Sequence, residues 1–347
     1  MTYNENIKAF LKYYLKENSA WFYSLLTAFM FACRCYSQTP VVDFPKAEAE
    51  KLKIQWSNDH SVQYSEQLVE RAKNGDPISI HNLAICHMRG LGVKQDYVAA
   101  VKWLKKGAEL GIANTQEELG RCYEEGFGVS KDANTAYEWY LKAAEAGYVD
   151  AQNSIGTLIL KGECEEHGDI NEGIKWINKA AEAGHPPAQF NLANSYQMGK
   201  GVAQNSDTAF KWMKKAAEQG DMRSEYNLGV YYLTGTGTTE NPHEALTWFV
   251  KAANKGSASA QNNVASLYYN GTGMSRDIKE ATKWFKQAAA NNNAEAQYML
   301  GSIYYNGVGV DKDEKEAAKY FKLAADQGHQ KAKMYLMSLR PDKANGH

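Results

Sequence analysis

Apolar and small residues recur along this chain in two blocks, and both blocks have helical spacing. In one copy the first block starts at Leu119 and continues with Gly120 at i+1 and Tyr123 at i+4. The second block starts at Ala136 and continues with Trp139 at i+3 and two alanines at i+7 and i+8. Such spacings place side chains on one face of a helix. Each copy therefore predicts two helices, which we call the first and the second helix of a repeat.

These two blocks recur at an almost constant interval. The second block carries an aromatic residue at Trp103, Trp139, Trp176, Trp212, Trp248, Trp284 and Tyr320, in steps of 36 or 37 residues. The units end at Gly75, Gly111, Gly147, Gly184, Gly220, Gly256, Asn292 and Gly328. A pair of short helices cannot bury its apolar face alone, so such units stack on one another. The pattern predicts an all-α fold, a right-handed α/α solenoid of about seven 36-residue helix-turn-helix repeats over residues 75–328.

Glycines and alanines account for the turns and the close packing of each unit. In the second copy Gly126 and Gly128 form a Gly-x-Gly turn, whose permissive backbone ends the first helix. The two alanines of the second block let neighbouring helices approach closely, while the tryptophan fills the space between them. We therefore expect a Trp212→Ala substitution to cost roughly 3 to 5 kcal/mol, as for other buried aromatic side chains.

The motif Leu-Gly-x-x-Tyr-x-x-Gly-x-Gly-Val, followed by Ala-x-x-Trp and Ala-Ala-x-x-Gly, resembles the Sel-one-like repeat, a relative of the tetratricopeptide repeat. The resemblance covers residues 75 to 328 and implies a scaffold for protein complexes. The third copy departs from the pattern. Its turn, Gly162 to Gly168, has an extra residue, and Gly173 stands where Ala136 stands in the second copy. A local irregularity in the array is expected there.

The two ends of the chain differ from the repeats. Residues 61–74 predict a lone helix that caps the array, and residues 329–340 predict a closing helix before a polar tail, 341–347. Residues 1–37 contain a fourteen-residue apolar stretch, Ala20 to Cys33, with small residues Cys35 and Ser37 before Gln38. That length suits a signal peptide better than a spanning helix, and the alternative is an N-terminal anchoring helix. Residues 38–60 are then a linker, and the protein is secreted or periplasmic, or alternatively membrane-anchored or cytoplasmic.

Composition and motifs point away from several classes of function. The 39 Lys and Arg against 40 Asp and Glu give a net charge of -1, which offers no basic excess for nucleic acid. Five cysteines are too few for a disulfide scaffold, and Cys86 and Cys122 are expected to be small buried thiols. No nucleophile motif or metal-ligand spacing is present, so we predict no catalytic residue, no metal site and no cofactor.

The resemblance to tetratricopeptide units also predicts a binding groove. If the first helices pack as they do in those units, fixed positions around the conserved leucine line the concave face. In repeats 4 to 7 these positions are Phe190, Asn191, Asn194, Tyr226, Asn227, Asn262, Asn263, Tyr269, Tyr298 and Tyr305. Rigid aromatic rings and amides suit an extended peptide or another protein partner. Two alternatives remain for this surface: a carbohydrate or cell-wall binder or hydrolase that uses the same groove, and tyrosines that simply pack against the next repeat. A cytoplasmic assembly factor is a third function, if residues 1–37 are never removed.

Lysines recur on the second helices, just before the tryptophan position or three residues after it. Glutamates follow three residues later, as in Lys142 with Glu145 and Lys215 with Glu218. Neighbours at i and i+3 neutralise each other on a helix. We therefore expect a solvated face made of paired charges.

Overall fold

The computed structural model describes residues 63–164 and 167–338. Within these ranges the chain forms sixteen α-helices and no strand, which confirms the all-α solenoid. The chain divides into two compact units, one that ends at Lys131 and one that begins at Asp132. The signal peptide or anchor predicted at 1–37, the linker at 38–60 and the tail at 341–347 lie outside the described residues.

The first compact unit contains four helices. They are α1 (Glu66–Lys73), α2 (Pro77–Arg89), α3 (Tyr97–Glu109) and α4 (Ala113–Glu125). Helix α1 lies within the stretch 61–74 that was expected to form a lone helix, and Tyr64 and Leu68 pack against a core of Ala72, Ile80 and Leu83. The pair α2 and α3 forms repeat 1, and α4 is the first helix of repeat 2.

The second compact unit contains twelve helices. They are α5 (Ala133–Glu145), α6 (Val149–Lys161), α7 (Ile170–Glu182), α8 (Pro186–Met198), α9 (Ser206–Glu218), α10 (Met222–Thr234), α11 (Pro242–Asn254), α12 (Ala258–Asn270), α13 (Ile278–Ala290), α14 (Ala294–Asn306), α15 (Glu314–Asp326) and α16 (Gln330–Ser338). Helix α5 completes repeat 2. The pairs from α6–α7 to α14–α15 form repeats 3 to 7, and α16 covers part of the stretch 329–340.

The two glycines of each Gly-x-Gly turn act differently. The first ends the first helix in the left-handed conformation, as at Gly235, where φ is 67°. The second lies against the preceding repeat: a Cβ on Gly237 would collide with the backbone of Ser206, at the start of α9. Only glycine allows this approach at a positive φ. The second glycine therefore sets how closely one repeat stacks on the previous one.

The core of each repeat is built on the residue after the tryptophan. The side chains at this position are completely or almost completely buried: Leu104, Tyr140, Ile177, Met213, Phe249, Phe285 and Phe321. By contrast Trp212 is only half-buried, and Trp248 keeps 8% of its surface exposed. The expectation that Trp212 fills the space between helices as a buried aromatic is met in part: its ring is half-buried, and it packs against the core clusters that contain Leu192 and Met213. A Cβ on Gly229 of α10 would lie 2.6 Å from the Phe249 ring, so glycine there makes room for the phenylalanine.

A ladder of buried amides joins consecutive repeats. Gln189 at the start of α8 donates to the carbonyl of Ala181 in α7 (3.1 Å) and accepts from the Gln219 amide (2.8 Å). The same arrangement recurs with Gln261 and Gln297. In repeat 5 a charged pair replaces it: Lys255 donates to Glu225, which is only 3% exposed, at 2.7 Å. These hydrogen bonds satisfy polar groups that burial would otherwise penalise.

Candidate functional site

The ten residues predicted to bind a partner all lie on the first helices of repeats 4 to 7. Helix α8 carries Phe190, Asn191 and Asn194; α10 carries Tyr226 and Asn227; α12 carries Asn262, Asn263 and Tyr269; α14 carries Tyr298 and Tyr305. All ten side chains are half-buried. Four of them, from Phe190 to Tyr298, are spaced by 36 residues and occupy equivalent positions on successive repeats. We call these ten positions the neutral face, for the charge distribution described below.

Three of the five aromatic rings on the neutral face lie under a cation. The guanidinium of Arg223 is 4.6 Å from the centre of the Phe190 ring, and that of Arg276 is 5.3 Å from the Tyr269 ring. The ammonium of Lys312 is 5.5 Å from the Tyr305 ring. Cation–π contacts of this kind hold the ring and the cation together at a protein surface.

The other two rings pack against neighbouring aromatic groups. The Tyr298 ring stacks on the His329 imidazole, with 4.5 Å between centres, and is 5.8 Å from the Phe321 ring. Burial raises the pKa of the Tyr298 hydroxyl above its usual range. The Tyr226 ring lies 5.7 Å from the Phe249 ring. Both tyrosines therefore contribute to packing within the array, as one of the alternatives above expected.

The five asparagines of the neutral face differ in their hydrogen bonds. The Asn191 amide group donates to Asn153 (2.9 Å) and Thr157 (3.3 Å) of α6. Asn227 donates to the backbone of its own helix, at Arg223 (2.8 Å). The Asn262 carbonyl oxygen is buried and has no hydrogen-bond partner among the residues that the structure describes.

Asn194 and Asn263 make no side-chain hydrogen bond within the described part of the chain, although both are half-buried. Their donor and acceptor groups are therefore free for another molecule.

The first helices of repeats 4 to 7 carry far fewer charged residues than the second helices of the same repeats. Helices α8, α10, α12 and α14 hold three charged residues among 52, and α9, α11, α13 and α15 hold seventeen among 52. The three are Arg223, Glu225 and Glu295. Glu225 pairs with Lys255 at 2.7 Å, and Glu295 lies 2.9 Å from His329. Arg223 lies 3.6 Å from Asp221, in addition to its contact with Phe190.

The lysines of the second helices lie over tryptophan rings. The Lys142 ammonium is 4.0 Å from the Trp139 ring, Lys215 is 4.1 Å from Trp212, and Lys251 is 3.6 Å from Trp248. The expected pairing of Lys215 with Glu218 is wrong: on α9 it is Lys214 that lies near Glu218, at 3.9 Å. The Lys215 ammonium instead contacts the Trp212 ring, which lies one turn before it on the same helix.

The cysteines of the described residues are inert by environment. Cys86, Cys122 and Cys164 are buried and unpaired, and burial raises the pKa of the Cys122 thiol to about 12. This confirms the expected buried thiols, since the thiolate is the reactive form of cysteine. Within residues 63–164 and 167–338 no three His, Cys, Asp or Glu side chains cluster as metal ligands. The same ranges hold no helix of the length and hydrophobicity that crossing a bilayer requires.

Solved structures with the fold of this chain include two that are more than 30% identical to it. A protective antigen present in uropathogenic Escherichia coli strains, which displays an SLR fold, is 32% identical with a TM-score of 0.71. The match covers 81% of this chain and 60% of the antigen, so this chain spans less than two thirds of that protein. A Sel1 repeat protein from Oxalobacter formigenes is 31% identical with a TM-score of 0.63, over 86% of this chain and 82% of that one. Among curated proteins, none matches the sequence.

The Sel1 repeat family model matches seven consecutive segments of the chain. They are residues 77–112, 113–148, 149–185, 186–221, 223–257, 258–293 and 294–329. The chain belongs to the Sel1 repeat family. Sel1 repeat proteins are typically scaffolds for protein interactions and are generally non-catalytic. In this Sel1 repeat protein the seven segments coincide with the pairs from α2–α3 to α14–α15.

Proposed function

We propose that this Sel1 repeat protein is a non-enzymatic scaffold that binds an extended segment of a protein partner in a concave groove lined by the neutral face. The observation that carries the proposal is the near absence of charge on α8, α10, α12 and α14, beside second helices that are rich in lysine. A solvated helix surface normally carries charged residues, and a surface of amides and aromatic rings is typical of binding sites.

The asparagines supply the second support. Asn194 and Asn263 lie on α8 and α12, two repeats apart, with no partner for their side chains among the described residues. An asparagine amide both donates and accepts, as a peptide group does. Two such amides, on first helices two repeats apart, suit an extended main chain that crosses several repeats.

A pull-down with matched variants tests this function. We expect Asn194→Ala/Asn263→Ala to lose the partner that the wild-type protein retains, because each lost hydrogen bond weakens binding by about 1 kcal/mol. Lys211→Ala/Lys214→Ala on α9 is the control and should bind as wild type does. Circular dichroism must show both variants folded. If the lysine variant alone loses the partner, the second helices are the functional surface.

We also propose that the protein acts outside the cytoplasm. The support is the fourteen-residue apolar stretch Ala20 to Cys33, with Cys35 and Ser37 at a cleavage position before Gln38. Cell fractionation followed by N-terminal sequencing is expected to find a mature protein without the first 37 residues, or an intact one in the membrane fraction. Intact protein that starts at Met1 in the cytosol would instead support an assembly factor of that compartment.

A further inference from the structure

The chemistry of the neutral face narrows the kind of segment it can hold, provided that the groove proposed above is the binding surface. We infer that the bound segment is an uncharged stretch of polypeptide held mainly through its main chain, and that neither a charged motif nor a glycan is the ligand. Three observations support this: the charges of the first helices, the contacts of the aromatic rings and the free amides.

The charged side chains at this face already have partners within the protein. Glu225 is buried against Lys255, and Glu295 lies against His329. Arg223 is the remaining charge on α8, α10, α12 and α14; its side chain is 54% exposed and lies between Asp221 and the Phe190 ring. Arg276 and Lys312, which lie over the Tyr269 and Tyr305 rings, are engaged as well: Arg276 donates to the Tyr269 carbonyl (2.8 Å), and Lys312 lies 2.8 Å from Glu314. An acidic residue docked here would have to compete with these contacts, and a basic residue would find both carboxylates of these helices already paired, so either would lose water for little return. Neutral side chains carry no such penalty.

The rings leave little for a sugar to stack on. Carbohydrate rings bind best to an open aromatic face, yet Phe190, Tyr269 and Tyr305 each have a cation over the ring. Tyr298 is covered by the His329 imidazole. A peptide does not need an open ring face, because it can use ring edges, the tyrosine hydroxyls and the amides.

The free amides then mark where the main chain is held. Asn194 and Asn263 have no side-chain partner in the described ranges, whereas the Asn191 amide group is already engaged by Asn153 and Thr157. Binding by peptide groups is independent of side-chain charge. It is also insensitive to salt, since screening weakens only interactions between charges.

Arrayed synthetic probes test the inference on the full-length protein. The probes are peptides of about 12 residues, which extend to about 40 Å and can cross four helices spaced about 10 Å apart. Uncharged, acidic and basic peptides are compared with neutral glycans at low and high NaCl. We expect the uncharged peptides to bind, with less than about a twofold loss of affinity at high salt. Charged peptides or glycans as the best binders would overturn the inference and leave the groove itself standing.

A charge introduced into the face provides the matched test. Asn194→Asp/Asn263→Asp keeps the side-chain shape but removes the amide donors and adds two charges, so binding of the uncharged peptides should fall at least about tenfold. Gln287→Glu adds a charge on the exposed side of α13 and should change nothing. Binding lost only in Gln287→Glu would contradict the proposed groove. If no peptide binds at all, both proposals are contradicted. The salt series is measured on the wild-type protein, so its result stands even if a variant fails to fold.

Discussion

The first and second helices of repeats 4 to 7 have the same length and pack against each other, yet their polar side chains make different contacts. On α9 and α11 the lysines lie over tryptophan rings, so their long side chains take part in packing. On α8 and α12 the amides of Asn194 and Asn263 make no hydrogen bond among the described residues, although both are half-buried. Contacts within the protein therefore account for these lysines of the second helices, and they do not account for Asn194 and Asn263 on the first.

The same comparison shows where stability is concentrated. Each second helix contributes one large side chain that is completely or almost completely buried, such as Phe249 or Phe321, and Gly229 and Gly301 of the paired first helices make room for these two rings. Interactions in a repeat array are mostly between neighbours, so a change in one helix is felt locally. Substitutions of the buried residues of the second helices should then affect folding, whereas those at Asn194 and Asn263 should affect binding alone.

The largest effect is expected from the buried ring of α11. Phe249→Ala removes a side chain with 0% exposure that packs against Gly229, and should lower the free energy of unfolding by roughly 3 to 5 kcal/mol. Trp212→Ala should cost less, because that ring is half-buried. Urea unfolding measures both, and hydrogen exchange should show loosening in repeats 4 to 6. An equal or larger loss for Trp212→Ala would restore tryptophan as the central core residue.

The charged pair of repeat 5 gives the next largest effect. Lys255→Ala leaves the Glu225 carboxylate buried without its cation, and should cost about 2 kcal/mol, less than a fully buried pair because the Lys255 side chain is 41% exposed. The double variant Glu225→Gln/Lys255→Gln copies the amide pair of Gln189 and Gln219, and should unfold within about 0.5 kcal/mol of wild type. If the double variant is as unstable as Lys255→Ala, the charge itself is required on this first helix.

Much of this fold was predictable from the sequence, because glycine turns and helical spacing are local signals. The Gly-x-Gly turns located the ends of the first helices, and a 36-residue period located the repeats. The buried core position was missed because its residue type varies from Leu104 to Phe249, while its neighbour is nearly always tryptophan. The position after the tryptophan is buried whatever residue occupies it, and the tryptophan that stands out in the sequence lies next to that position.

The candidate site was predictable in place but not in detail. The ten positions fall on the four first helices that the resemblance indicated, and their role in binding stays a prediction. Which amide is engaged could not be read from the sequence, because Asn191 finds its partner 38 residues away, at Asn153. The pairing of Lys215 was likewise misjudged, since the i,i+3 rule considers charges and leaves out the aromatic ring on the same face.

A smaller effect is expected from the lysine and tryptophan contacts. Lys215→Ala removes an ammonium 4.1 Å from the Trp212 ring, and should cost about 0.5 to 1 kcal/mol in urea unfolding. Lys211→Ala, an exposed lysine of the same helix, is the control and should be neutral. Neither variant should change binding of the uncharged peptides. Weakened binding without lost stability would show that the second helices also recognise a partner.

The smallest effect concerns a charge on α6, the first helix of repeat 3. Asp150 lies 2.9 Å from His185, and this hydrogen bond lowers the pKa of its carboxyl below the usual value. A carboxyl with a lowered pKa in the folded state stabilises the protein above its unfolded pKa, about 3.9, and this stabilisation is lost as the pH falls through the folded value. Because the carboxylate is 54% exposed, water limits the gain to less than about 0.5 kcal/mol. Asp150→Asn should therefore be slightly less stable than wild type at pH 6 and equal to it at strongly acidic pH, as judged by urea unfolding. Asp207→Asn, an exposed carboxylate of α9, serves as the control. The stability difference between Asp150→Asn and wild type could instead persist unchanged in acid. In that case the contact between Asp150 and His185 does not depend on the charge of the carboxylate.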